Sequence, residues 1–531
     1  MSHNTSLCPN EGRLNTLPST SVYGYGFDSL KLPLMQSSKE SSNLRQKAVK
    51  GVVWSAIQSW GSQVISFAVF SLLARLLSPQ DFGLVATAGV VVTFMQIFLE
   101  QGFSEAIVQR DNLESEHLDT AFWTILGIGT SLTIIGFSVA DIVANFFNQP
   151  QLTLIVRCLS FNFLFSALNS VQAAILSRQL FFKALAIRSL LATLASGTVG
   201  IVMAFQGFGV WSLVCQQLSF GLVAVITLWR VSDWRPGFRF SKKHFLEMFS
   251  FGVNIVGFNF LNFFSRHGDD LLIGYFLGAI ALGYYNVAYR ILLVMTQLLV
   301  RILTQVALPT FSRLKQEPEK LRNAFYSATQ LSSLISFPIF ISVAVLAPEI
   351  VRVVFGNKWE SSIPVMQALS LVGPLHCIFF FNGSLMIAMG KPSWRLWVTF
   401  INSVSNFIAF FLVVKWGILA VAMVYLIRSY LLAPIPLLLL RKLIKLDLLI
   451  YLRQYFTQVC GCLAIVAIVL TFKYFFAASI SANIMLTICI PLAALTYIAV
   501  IALLDKQLFK KLNELAKLAL YKQQGIRKKG V

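Results

Sequence analysis

The 531 residues are 56% hydrophobic and only 12% charged, and mean hydropathy is +0.72. Lys and Arg number 43 against 22 Asp and Glu, which leaves a net charge of +21. A soluble chain carries about one quarter charged residues. The composition therefore excludes an ordinary soluble enzyme, a disordered chain and a nucleic-acid-binding chain. It is that of a polytopic membrane protein whose cations gather at one membrane face.

Residues 1–46 are polar and rich in Ser, Asn and Pro. They lack the basic-then-apolar order of a signal peptide and read as a disordered cytoplasmic tail. From Gly51 the chain becomes a series of apolar stretches, each long enough to cross about 30 Å of hydrocarbon. Fourteen are predicted, at 51–77, 82–99, 121–146, 152–175, 187–205, 208–229, 248–277, 282–308, 327–347, 364–388, 395–415, 417–440, 455–477 and 483–504. The expected fold is an all-α polytopic membrane protein: two six-helix lobes (47–230 and 247–440) joined by a cytoplasmic linker (231–246), then two further spans within 441–504. Residues 505–531 form a basic tail in which Leu508, Leu512, Leu515 and Ala519 recur at helical spacing, as in a surface-lying amphipathic helix.

The distribution of cations orients this array. With the N-terminus in the cytoplasm, 33 of the 43 Lys and Arg fall on the cytoplasmic side. Five fall on the opposite side (Arg75, Arg352, Lys358, Lys415, Lys473) and five within spans (Arg157, Arg266, Arg290, Arg301, Arg428). That bias predicts a multi-pass protein of the bacterial cytoplasmic (inner) membrane with both termini cytoplasmic, and it accounts for the net charge.

Sliding the chain by 200 residues lays the first two spans over the seventh and eighth without a gap. Leu77/Leu277, Gly83/Gly283, Ala88/Ala288 and Met95/Met295 coincide, as do the short turns between the spans. Six spans, an even number, separate the copies, so the repeat is parallel. Such halves enclose a cavity and alternate its opening.

The seventh span carries a polar stripe. At 100° per residue, Asn259, Asn262, Arg266, Asp269 and Asp270 share an arc of about 100°. Charges in a membrane face a bundle interior or a wet cavity. Ser59, Ser62 and Ser66 stand 200 residues earlier than Asn259, Asn262 and Arg266. Both stripes are expected to line the cavity. Two plainer readings stay open: the serines as small packing residues, and Arg266 with Asp269 and Asp270 as a self-contained ion cluster. His267 lies off the stripe and reads as structural rather than as a proton carrier. Glu100 and Arg301 occupy neighbouring positions of spans two and eight, and Arg290 lies in the outer part of span eight. Arginines facing one cavity suit a phosphorylated anion, so Arg266, Arg290 and Arg301 join the asparagines and serines as candidate cavity residues. Asp269, Asp270, Glu100 and His267 are the groups that could couple a proton or a sodium ion.

Several chemistries lack their signatures. There is no GxxxxGK[ST] for an ATP motor, no HExxH and no GxSxG. The seven cysteines form no CxxC pair, and Cys460 and Cys462 have no nearby histidine, so neither a metal site nor a cofactor is expected.

The stretch ARLLSPQDFGLVATAGVVVTFMQIFLEQGFSEAIVQR (74–110) resembles the first outer turn and second span of bacterial polysaccharide exporters. FLGAIALGYYNVAYRI (276–291) and VALPTFSRLKQEPEKLR (306–322) resemble them too. These are the O-antigen and exopolysaccharide flippases of the multidrug/oligosaccharidyl-lipid/polysaccharide exporter superfamily. The resemblance covers about 45–505. It implies two six-helix lobes around a cationic cavity, and turnover of an oligosaccharide repeat unit on a polyprenyl diphosphate from the inner to the outer leaflet. It also implies membrane lipids, a polysaccharide polymerase and a chain-length regulator as partners, and no nucleic acid. The rival expectations are the same fold carrying a peptidoglycan lipid precursor or a cationic drug, and a membrane polymerase or ligase. The last needs a sizeable outer loop, and the longest, around 348–363, has about fifteen residues.

Overall fold

A computed structural model describes residues 38–99, 102–110, 112–476 and 479–510. Its contacts divide the chain into two units, residues 1–45 and residues 46–531, and the cores and cavities all belong to the second. No strand occurs among the described residues. The first half holds α1 (Ser38–Leu76), α2 (Pro79–Leu99), α3 (Phe103–Gln109), α4 (Ser115–Phe146), α5 (Leu152–Arg178), α6 (Phe182–Phe205) and α7 (Val210–Val231). The second holds α8 (Lys242–Phe276), α9 (Gly278–Leu314), α10 (Pro318–Val345), α11 (Ala347–Ile350), α12 (Ile363–Ala388), α13 (Pro392–Val413), α14 (Ile418–Leu432) and α15 (Pro434–Ile444). The chain continues with α16 (Leu448–Arg453), α17 (Phe456–Phe476) and α18 (Ala482–Leu504).

All fourteen expected spans are helical, with four differences of detail. First, α1 starts at Ser38, inside the stretch read as tail. Second, the 417–440 span is divided at Pro434, which opens α15 from its first turn, where its missing N–H costs nothing. Third, the linker between the halves is shorter than expected, because Ser241 caps α8 by accepting the His244 N–H. Fourth, α3, α11 and α16 are short helices that the predicted spans do not contain. Twelve helices among the described residues are long and apolar enough to cross a membrane. The two remaining spans are α1 and α8, the pair predicted to carry polar stripes. Of the proposed C-terminal helix, 511–531 lies outside the described residues; Leu508 is buried in the core of the second half.

Three large cores hold the helices. One, built from Phe103, Phe122, Ile125 and Phe163, belongs to the first half. Another joins α9, α10 and α12 to α16–α18 through Phe325, Phe381, Tyr451 and Tyr497. The largest is shared by both halves and lies at the end where α1 turns into α2, the far end. The end holding α3 and the α7–α8 linker is the near end. The linker is fastened to the first turns of α4. The Gly237 N–H donates to Asp119 Oδ1 at 2.9 Å, and Trp123 Nε1 donates to the Gly237 carbonyl at 2.8 Å. Trp123 also stacks on Phe238.

Candidate functional site: a two-chamber lumen closed at the far end

The far-end closure is built on the 200-residue repeat. A Cβ on Gly83 would stand 1.7 Å from the Ala279 carbonyl oxygen, and one on Gly283 would stand 2.0 Å from that of Pro79. The two contacts are the same contact related by the repeat, since position 279 is the counterpart of position 79. Helices α2 and α9 therefore touch backbone to backbone. Only glycine allows that approach.

An asymmetric fastening lies over this contact. The segment between α11 and α12 is a π-turn (Val351–Phe355) followed by a 3₁₀ stretch (Asn357–Ser362). The fully buried Trp359 donates its Nε1–H to the Ala74 carbonyl at 2.8 Å, and Lys358 Nζ donates to the Arg75 carbonyl at 2.7 Å. These are free carbonyls at the C-terminus of α1, which need such partners. In return the Arg75 guanidinium donates to the carbonyls of Val353 and Val354. The indole meets Phe82 edge-on at 5.3 Å and Tyr284 at 5.9 Å, one ring from each half.

Beneath the closure lie two cavities. The upper, of about 510 Å³, is lined by Ser66 and Phe70 of α1, Thr193 and Ser196 of α6, His267 and Asp270 of α8, and Asn286 and Arg290 of α9. The lower, of about 730 Å³, lies mostly within the first half. Gln96, Asn162, Asn169 and Gln217 line it, with Asn259 from α8, Ser104, Ser166 and Ser170, and Arg188 of α6. Gln217 and Phe220 belong to both walls, so the chambers adjoin.

In the upper chamber, Asp270 Oδ2 lies 3.1 Å from His267 Nδ1, and its Oδ1 accepts from Asn286 Nδ2 at 3.4 Å. Asp269 lies behind it, buried, and accepts the Tyr285 hydroxyl at 2.8 Å. The Arg290 guanidinium sits over the Phe70 ring at 5.3 Å. Its Nε is buried with no partner among the described residues, and the Arg188 Nε is in the same state. Arg188 keeps one bond, from Nη2 to Ser189 Oγ at 3.4 Å, and among the described residues neither half-buried guanidinium pairs with an acid. A cation with a buried, unpaired Nε is costly, and each fork suits an anion or a hydrogen-bond acceptor.

The residues expected in one stripe separate. Asp270, Arg290 and Ser66 line the upper chamber, Asn259 lines the lower, and Asp269 supports Asp270 from behind. Arg266 is exposed, and neither it nor Asn262 lines either chamber. Ser59 and Ser62 are half-buried away from both. His267, off the stripe on the helical wheel, faces the upper chamber. Glu100 and the side chain of Arg301 lie outside the described residues. Arg157 is paired with Asp141 at 2.8 Å, and Arg428 donates to Ser405 at 2.8 Å and to Asn402 at 3.2 Å. Sequence reasoning missed the lower chamber. Its carboxamides come from α2, α5, α7 and α8 in no linear pattern, and Arg188 reads as one more cation at the near face.

Comparison with known proteins places this architecture. The sequence pattern of the family described as "Polysaccharide biosynthesis protein" matches residues 72–364. The teichuronic acid biosynthesis protein TuaB of Bacillus subtilis (strain 168) is 28% identical over 466 residues, covering 86% of this chain and 95% of its own. The lipopolysaccharide biosynthesis protein WzxC of Escherichia coli (strain K12) is 29% identical over 355 residues, covering 66% of this chain and 71% of its own. Among solved structures, the lipid II flippase MurJ in an inward closed conformation superposes with a TM-score of 0.72 at 15% identity, covering 86% of this chain and 99% of its own. That likeness is one of fold.

Proposed function

We propose that this chain, which belongs to the polysaccharide biosynthesis protein family, is a flippase that moves oligosaccharide repeat units on a polyprenyl diphosphate from the inner to the outer leaflet. A sugar headgroup and a diphosphate cannot cross hydrocarbon unaided, because every desolvated polar group costs several kcal/mol, roughly 2–7 each. The lumen offers them replacement partners. The observation that carries the reading is the pair of guanidinium groups, Arg188 and Arg290, that make no ion pair among the described residues, in a polar lumen closed at one end. Arg290 is assigned to the diphosphate. The far end corresponds to the outer face, by the bias of cations toward the near end.

The cycle has three parts. The headgroup enters from the cytoplasmic side while the tail stays in the bilayer. The far-end contact opens as the halves rock. The headgroup then leaves on the outer side, where a polymerase would consume it. His267 and Asp270, which face the lumen as a pair, are the groups through which a proton or a sodium ion could drive the cycle. A cationic drug as cargo fits poorly, since it would meet Arg290 and Arg188. A polymerase or ligase role finds little outer structure to act from: the segment between α10 and α12 is spent on the closure.

A strain lacking the chain is expected to lose surface polysaccharide and to accumulate lipid-linked repeat units on the cytoplasmic leaflet. Normal export with no accumulation, in a strain with no second flippase, overturns the reading.

A further inference from the structure

We infer that the lower chamber is a glycan subsite that takes hydroxyl-rich sugar residues, separate from the upper chamber that holds the diphosphate. The inference rests on the flippase reading and adds to it where the sugar sits and what recognises it. The wall is chemically uniform. Gln96, Asn162, Asn169, Gln217 and Asn259 supply carboxamides, and three serines supply hydroxyls. Each carboxamide offers two donors and an acceptor, and each hydroxyl offers both roles, which is what a sugar's hydroxyl groups require. Among the described residues no carboxylate lines the chamber, and Arg188 is its one charged group. A cation would find no counter-charge there.

The groups are also uncommitted. Asn169 spends its Nδ2–H on the Phe165 carbonyl at 2.9 Å, but its Oδ1 is buried with no partner among the described residues. Among the described residues, Ser104 and Ser170 hold only each other, at 2.7 Å. A buried polar atom in the state of the Asn169 Oδ1 is normally satisfied by a ligand or by water. Phe220, an exposed ring at the junction of the two chambers, supplies an apolar face for a sugar ring. A volume of about 730 Å³ falls within the range of small-ligand sites, about 300–1,000 Å³. Position completes the argument: the chamber adjoins that of Arg290, as glycan adjoins diphosphate in such a lipid.

The test uses the full chain in lipid nanodiscs and two probes: a long-chain polyprenyl diphosphate alone, and the same lipid carrying a neutral disaccharide. The sugar-bearing lipid is expected to bind about tenfold tighter, the worth of one or two net hydrogen bonds. Asn162→Ala and Gln96→Ala, singly and together, are expected to bring its affinity down toward that of the bare lipid. Binding of the bare lipid reports that the variants are folded. Arg290→Gln is expected to weaken both probes alike. If the wild type shows no preference for the sugar-bearing lipid, or if the preference survives in the double variant, the glycan subsite is overturned while the flippase reading stands. If the wild type binds neither lipid, the flippase reading itself fails.

Discussion

Replacing Gly83 or Gly283 by alanine puts a methyl group where a backbone carbonyl of the other half already stands. The closed far end can survive that only by parting α2 from α9. Overpacking of this kind costs about 1–3 kcal/mol, a shift of roughly 5- to 150-fold toward the open form. A single cysteine at Leu73, in a background without the native cysteines, is expected to react faster with a membrane-impermeant thiol reagent in either variant. An unchanged rate would mean that the glycines only pack. The carboxylates divide in the same residue-by-residue way. Tyr285→Phe removes the hydroxyl that Asp269 accepts, and is expected to cost the about 1–3 kcal/mol of a buried group left unpaired, read as a lower thermal midpoint. Asp270→Asn is expected to cost little stability and to remove the response of transport to pH or sodium. Full transport by the Asp269→Asn/Asp270→Asn pair across a range of both would sink ion coupling. At this scale the sequence was legible where periodicity or repetition marks a residue, as for Gly83, Gly283 and Asp270. It was silent on the lower chamber, because Asn162 and Gln96 acquire a shared meaning only when four helices meet.

The helices were the most legible elements, since each must bury its backbone hydrogen bonds within itself to cross hydrocarbon. The connections were not, because their contacts are made to distant parts of the chain. The segment between α11 and α12 reads as a short loop, yet it carries Trp359. Trp359→Ala removes a fully buried indole and its hydrogen bond, at about 3–5 kcal/mol. It is expected to speed thiol labelling at Leu73, as the glycine variants do. Trp359→Phe keeps most of the apolar contact and loses the bond to Ala74, so a smaller effect of about 1 kcal/mol is expected. If both variants label as slowly as the wild type, the indole does not fasten the far end. The linker is a second such connection. Asp119→Ala frees the Gly237 N–H, and limited proteolysis from the near side is expected to cut within 232–241 sooner. Equal cutting would show that Trp123 and Phe238 hold the segment without it.

For the whole molecule, the proposed topology assigns most of the +21 charge to orientation, and the flippase reading assigns only a few cations to cargo. Reporter fusions after residue 531 and within the α7–α8 linker are expected to report the cytoplasm; an external signal from either would reverse the assignment of near and far ends. The parallel repeat, visible in the sequence as a few coincident residues, has its clearest structural expression where the halves touch. Two identical halves could make the paired glycine contact, each offering what the other needs. They could not make the contact of Trp359, whose segment has no equivalent in the short α4–α5 turn of the first half. If the chain descends from a duplicated six-helix ancestor, that ancestor could close as a homodimer on its glycines alone. The indole fastening would then date from after the copies fused and diverged, and relatives that lack the insertion should close on the older contact.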